Sequence, residues 1–324
     1  MNAMKSFAYQ TGRGIVLSAL SILAVGTSQA SETMFAYTYL AETLPAKALE
    51  VENWTTLSTK KSQGTYNLWQ NRTELEYGLA DRWTMSFYLN SYSVTAQNNN
   101  ATASRSNYSA IGDGDEVSGG GPATFGSYVP ALDKLPIPAA RYHKSDFESV
   151  SVESIYQLMS PFKDPFGLAA YVEWTHGPRT TELELKAIVQ KNLMDDQLVL
   201  AANLAVELED ENWSGLGNEE ESKIELSGGA SYRFAPGWRA GLEVRNERGY
   251  KGHTLSASDR DYSAWFGGPN ISYAGERWFM TVGYLTQLPF ATAYSDAAKV
   301  EMVDHRVYKS TEKVNFRVKL GYNF

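Results

Sequence analysis

The last eleven residues, Val314 to Phe324, restrict the fold of this chain more than any other stretch. Val314, Phe316, Val318, Leu320, Tyr322 and Phe324 hold one set of alternate positions. Asn315, Arg317, Lys319, Gly321 and Asn323 hold the other. Side chains of a β-strand point to opposite faces with a period of two, so this segment predicts a strand apolar on one face and charged on the other. It also reaches the carboxyl terminus, where a chain frays unless something ties it down.

The same alternation recurs upstream. It predicts strands over Lys47–Leu57, Tyr66–Leu79, from Trp83 through Leu89, about 146–159, and Leu168–Trp174. It continues over Glu182–Val189, Leu198–Leu208, Lys223–Phe234, Trp238–Arg245 and Trp278–Tyr284. A weaker strand over Ala264–Tyr273 is interrupted by Gly267, Gly268 and Pro269. With the terminal segment this makes an all-β chain of about twelve antiparallel strands. Met34–Leu44, with Phe35, Tyr37 and Tyr39 in alternation, reads as a further strand, a lead-in or a luminal plug, and a second hidden strand would raise the number to fourteen.

Connections alternate in length. Ala80–Arg82, Ser160–Asp164, Leu193–Asp196, Ala235–Gly237 and Ala274–Glu276 are short, whereas Ala96–Ser145, Asp210–Glu221, Gly249–Asp261 and Pro289–Tyr308 are long and polar or Gly-rich. Ser58–Gly64 and Gly177–Thr180 fall on the long side but are short. Short turns on one rim and long loops on the other are how transmembrane β-barrels are arranged, and a soluble sandwich has no reason for it. Trp83, Trp238 and Trp278 each follow a short turn directly. With Phe324 they form an expected aromatic girdle at one membrane interface.

Lys5 and Arg13, the apolar run Ile15–Val25 and Ser28-Gln29-Ala30 read as a cleaved export signal over residues 1–30. The remainder, 31–324, reads as one barrel domain. No Cys is present, which excludes a disulfide framework or thiolate metal site. Without Lys5 and Arg13 the chain has 27 basic and 37 acidic residues, a net charge of −10 that argues against nucleic acid as a partner.

Terminal Phe, alternating strands and unequal rims together resemble a Gram-negative outer-membrane β-barrel, over nearly all of the chain beyond residue 30. AETLPAKALEVENW (Ala41–Trp54) and LEYGLADRW (Leu75–Trp83) are similar to uncharacterised porin and transporter barrels of proteobacteria. The resemblance implies the outer membrane as location, lipid and lipopolysaccharide as surroundings, and barrel-assembly machinery as a partner for the strand ending in Phe324. It brings no catalytic residue set, cofactor or metal.

The face opposite the lipid is charged. Arg72, Glu74, Glu76, Glu153, Glu173, Glu184, Lys186 and Glu207 are expected to line the lumen, as are Lys223, Glu225, Arg233, Arg239, Glu243, Arg245, Arg317 and Lys319. An Arg or Lys facing lipid at the midplane costs about 2–4 kcal/mol, which turns these inward. They either line a water-filled channel or pair across a narrow lumen and fill it. Glu dominates the earlier strands, and Lys and Arg the strands near 233–245 and the terminus, so an acidic wall is expected to face a basic one.

Ala96–Ser145 is too long for a mere connector and reads as a constriction or cap. Asp113, Asp115 and Glu116 with Asp210, Glu211 and Glu219 to Glu221 make an acidic outer rim that lacks an EF-hand pattern. The four histidines, His143, His176, His253 and His305, lie in or beside long connections. Glu173 and His176 differ by an odd number and point to opposite faces, and no hydrolase motif is present. The reading is therefore a passive channel for a small polar solute, with a non-conducting surface barrel as the alternative and a hydrolase less favoured.

Overall fold

The computed structural model describes residues 34–62, 64–97, 142–213 and 217–324. The expected export signal and most of Ala96–Ser145, including Asp113 to Glu116, lie outside them. Twelve long strands follow one another in chain order. They are β1 (Leu49–Thr59), β2 (Thr65–Ala80), β3 (Trp83–Gln97), β4 (Tyr142–Met159), β5 (Gly167–His176) and β6 (Thr180–Leu193). Then come β7 (Leu198–Trp213), β8 (Gly217–Ala235), β9 (Trp238–Lys251), β10 (Arg260–Ala274), β11 (Trp278–Gln287) and β12 (Val314–Asn323).

Each strand pairs antiparallel with its sequence neighbour, and β12 pairs with both β11 and β1. Glu50 opposite Asn323 and Thr59 opposite Val314 close the sheet into a barrel without a free edge. No further barrel strand is present among the described residues. The outward face is apolar: Phe87, Leu89, Leu185, Leu242 and Leu320 are all more than half exposed. Such a belt suits lipid and nothing in water.

β10 is unbroken despite Pro269. Its ladder to β11 holds at Gly267–Thr286 and Asn270–Gly283 and skips the two residues between, where Pro269 has no N–H to give. Gly268 is required there, because a Cβ would lie 1.9 Å from the Tyr284 carbonyl oxygen.

Two long connections differ from expectation. Asp210–Glu221 is not a loop: β7 and β8 stay paired past the apolar belt, with Asp210 opposite Glu220 and Glu211 opposite Glu219. Alternation disappears where both faces are polar, but the ladder still satisfies the backbone, so the strands outrun their sequence signal. Pro289–Tyr308 holds structure of its own. Thr292–Ala293 adds to β10, α1 (Asp296–Val300) is capped by the Ser295 side chain, and Met302–Val303 pairs with Arg306–Val307.

The short-turn rim is tightly built. Pro236 fixes one turn, and Gly237 takes the left-handed conformation (φ 73°) that completes it. Trp238 and Trp278 flank Tyr273, with ring centroids 4.9 and 4.8 Å apart, and Tyr322 meets Phe324 at 5.1 Å. Trp83, Trp238, Trp278 and Phe324 all stand exposed on this rim.

Candidate functional site

The barrel's inward positions are not uniformly polar. Near the short-turn rim, Ile155 (β4), Ala169 (β5), Ile188 (β6) and Val199 (β7) point into the lumen and are buried. What buries them is the segment 34–46, which is neither strand nor lead-in but a plug. Tyr39 and Ala41 pack with Trp54, Ile155, Ala169, Tyr171 and Ile188, and Phe35 and Leu40 with Val199 and Ala201. Two small wall positions make room: a Cβ on Gly229 would lie 2.5 Å from the Phe35 ring, and one on Gly283 2.3 Å from the Ala36 Cβ.

An irregular segment inside a barrel has no ladder to satisfy its backbone, so side chains of the wall take over. Glu243 on β9 accepts from the backbone N–H of Ala36 (2.8 Å), Tyr37 (2.9 Å) and Thr38 (2.9 Å), and Asn270 holds it in place at 2.8 Å. Asn203 on β7 accepts from Tyr39 N–H at 2.6 Å and donates back to Tyr39 C=O at 3.0 Å, as a neighbouring strand would. Gln190 accepts from Ala41 N–H (2.9 Å), Gln157 donates to Ala41 C=O (2.7 Å), and Thr84 accepts from Leu44 N–H (2.9 Å). Arg317 donates to Ala36 C=O at 3.0 Å.

Above the plug's midpoint, cations interleave with aromatic rings. Lys186 lies 3.8 Å from the Tyr39 ring centroid and 4.1 Å from that of Tyr171. Lys319 is 3.8 Å from Trp54, Arg317 4.2 Å from Tyr37, and Arg72 4.2 Å from Tyr88. In a desolvated setting each such contact is worth about 2 kcal/mol or more, so this layer resists solvent entry.

Beyond this layer, toward the long-loop rim, lies a chamber of ≈ 240 Å³. Its wall is a set of ion pairs: Arg72 to Glu173 at 2.6 Å across the lumen, Lys223 to Glu207 at 2.7 Å and Glu209 at 3.3 Å, and Arg245 to Glu225 at 3.4 Å and Glu247 at 3.6 Å. Glu184 is held by Lys186 at 3.3 Å. The loop after β11 turns back to furnish Ser310, Thr311 and Glu312, the last paired with Lys61 at 3.0 Å. Eight carboxylates line the chamber against four cations, Arg72, Lys223, Arg245 and Arg317.

The expected lumen residues therefore fall into three places. Arg72, Glu173, Glu184, Glu207, Lys223, Glu225, Arg245 and Arg317 border the chamber. Glu74, Glu76, Glu153, Lys186, Glu243 and Lys319 lie beneath or beside the plug, all but Lys186 at 5% exposure or less. Arg233 and Arg239 sit apart, at the short-turn mouth, bound to the carbonyls of Asp195 (3.2 Å) and Asp196 (2.6 Å). Arg233, Arg239 and Arg245 thus form no cluster. Nor is there an acidic wall facing a basic one, because Lys223 and Arg245 pair with carboxylates of their own and adjacent strands.

Gln157, Gln190, Asn203, Glu182 and Glu247 fall outside the expected set although alternation marks them as inward, and Glu148, on the lipid side by alternation, is turned inward by the register break between β3 and β4 at Asn90–Ser91. His176 stacks outside on Trp174 at 5.6 Å while Glu173 faces the lumen, so the two do not meet.

The model of a family of unknown function, DUF6662, matches residues 27–324. No curated protein matches the chain. Among solved structures the chain is similar to the COG4313 outer membrane channel from Pseudomonas putida F1, with 12% identity and a TM-score of 0.57 over 88% of this chain and 98% of that one. It also aligns with the NanC porin (8% identity, TM-score 0.47, 86% and 100% covered) and with the KdgM porin in complex with disordered oligogalacturonate (11%, 0.44, 85% and 99%). The fold is that of an outer-membrane β-barrel.

Proposed function

We propose that this chain, which belongs to DUF6662, a family of unknown function, is a porin-like outer-membrane channel closed by its own residues 34–46. The observation that carries this reading is the chemistry of the closure. Among the described residues, that segment lies between the polar chamber and the short-turn mouth, held by side-chain hydrogen bonds and ring contacts with no sheet ladder. Each bond contributes about 0.5–1.5 kcal/mol net, against about 1–2 kcal/mol per residue for ordering the backbone. Burial of Phe35, Leu40 and Leu44 and the cation–ring contacts add to the favourable side, so the plug is docked at rest, while its release would leave the strand ladder of the barrel intact. The solute is small and polar or charged. Export through a cleaved signal, insertion with the help of barrel-assembly machinery reading the strand that ends in Phe324, and contact with lipopolysaccharide complete the reading.

A barrel that never conducts is the second reading, favoured by the same occlusion. Conductance of refolded protein in planar bilayers separates them. The full chain is expected to show low or flickering current and Gly229→Leu, which fills the Phe35 seat, a steady larger one. Silence from both, with each variant folded by heat-dependent gel mobility, would establish the non-conducting barrel.

A further inference from the structure

We propose that the chamber beyond the plug is a binding site for a small organic diamine, a short aliphatic chain with a primary ammonium at each end. The inference rests on reading the lumen as a solute path and adds the class of solute. The wall already shows what it accepts. The Lys223 ammonium bridges Glu207 and Glu209 at 2.7 and 3.3 Å, with a third carboxylate, Glu182, whose oxygen lies within 4.8 Å of theirs. A primary ammonium thus stands among three carboxylates whose oxygens lie close enough together to share a single cation.

The wall is left with acceptors to spare. Among the described residues, Glu182 and Glu148 line the chamber with no hydrogen-bond or ion-pair partner, and Glu148 is only 8% exposed. Of the other lining atoms buried without a hydrogen-bond partner, Tyr37 Oη, Asn90 Oδ1 and Ser310 Oγ can accept, whereas Arg72 Nε and Arg245 Nε are donors on guanidinium groups already paired with carboxylates. These three acceptors, with the carboxylates of buried Glu148 and half-buried Glu182, suit a cation that can donate hydrogen bonds. An anionic solute would meet twice as many carboxylates as cations. The ≈ 240 Å³ volume lies below the roughly 300–1,000 Å³ of pockets for drug-sized ligands, which limits the solute to a few carbons between its charges.

Isothermal titration of the refolded full chain with putrescine, glutamate and Ca²⁺ tests this. Putrescine is expected to bind, with affinity falling about tenfold in each of Glu148→Gln and Glu182→Gln and further in the double variant, at unchanged gel mobility. Binding of Ca²⁺ or glutamate in preference to putrescine would overturn the assignment, as would putrescine binding insensitive to both substitutions. Titration does not depend on conduction. A channel that conducts but binds no diamine refutes this inference alone, and a silent barrel that binds it refutes only the channel.

Discussion

At the scale of single residues, the gate hangs on a few side chains that substitute for a strand. Glu243 is the strongest case, with one carboxylate taking three consecutive N–H groups of the plug. Its removal leaves those donors buried and unsatisfied at about 1–3 kcal/mol each. Glu243→Ala is therefore expected to raise the open fraction in bilayer recordings at least about tenfold, whereas Glu243→Gln, which keeps an acceptor, moves it less. Glu42, within the plug, adds a pH dependence. Burial pushes its carboxyl up to about 7 against the hydrogen bond from Gln190. A carboxyl raised in the docked state favours docking while protonated, so its contribution is complete below about 4.5 and is lost as pH rises through about 7. Current should increase between pH 5 and 8, and Glu42→Gln should flatten that profile.

At the scale of the strand, one residue of register decides between lipid and lumen. Leu242 and Glu243 are neighbours in β9, the first 67% exposed on the belt and the second 5% exposed beneath the plug. Leu242→Arg is expected to lower the unfolding free energy in bilayers by up to about 2–4 kcal/mol, the cost of Arg facing lipid at the midplane. A denaturant titration that finds no loss would mean that Leu242 does not face lipid. The same alternation fails usefully in two places. Where β7 and β8 rise beyond the belt it vanishes because both faces are polar. Where Ala187-Ile188-Val189 and Leu198-Val199-Leu200 run apolar without a break, it vanishes because the plug covers the inner face as lipid covers the outer. Such unbroken apolar runs beside a short turn were the available sign that the lumen is filled there.

At the scale of the whole molecule, plug and barrel can be joined to ask whether they must separate. The chain has no Cys, and a Cβ on Gly167 would lie 3.1 Å from the Ala41 Cβ, a few tenths short of the usual disulfide spacing of about 3.5–4.5 Å. The pair Gly167→Cys with Ala41→Cys is expected to lock the plug on oxidation, suppressing current, and to restore it on reduction. Equal currents in both states would show that the solute path does not run through residues 34–46. The strands, the closing terminal segment, the aromatic rim and the inward set from Arg72 to Lys319 were legible in the sequence because a period of two is local. Each residue's face follows from its neighbours, and a polar lumen with an apolar exterior leaves the pattern in every strand. Who meets whom inside was not legible. Glu243 holds Ala36 from 207 positions away, Gln190 holds Ala41 from 149, and Arg72 reaches Glu173 from 101. Alternation says only that each of these points inward; the curvature of the closed sheet decides which of them share the lumen's width, and with that the plug, the ion pairs and the acidic chamber.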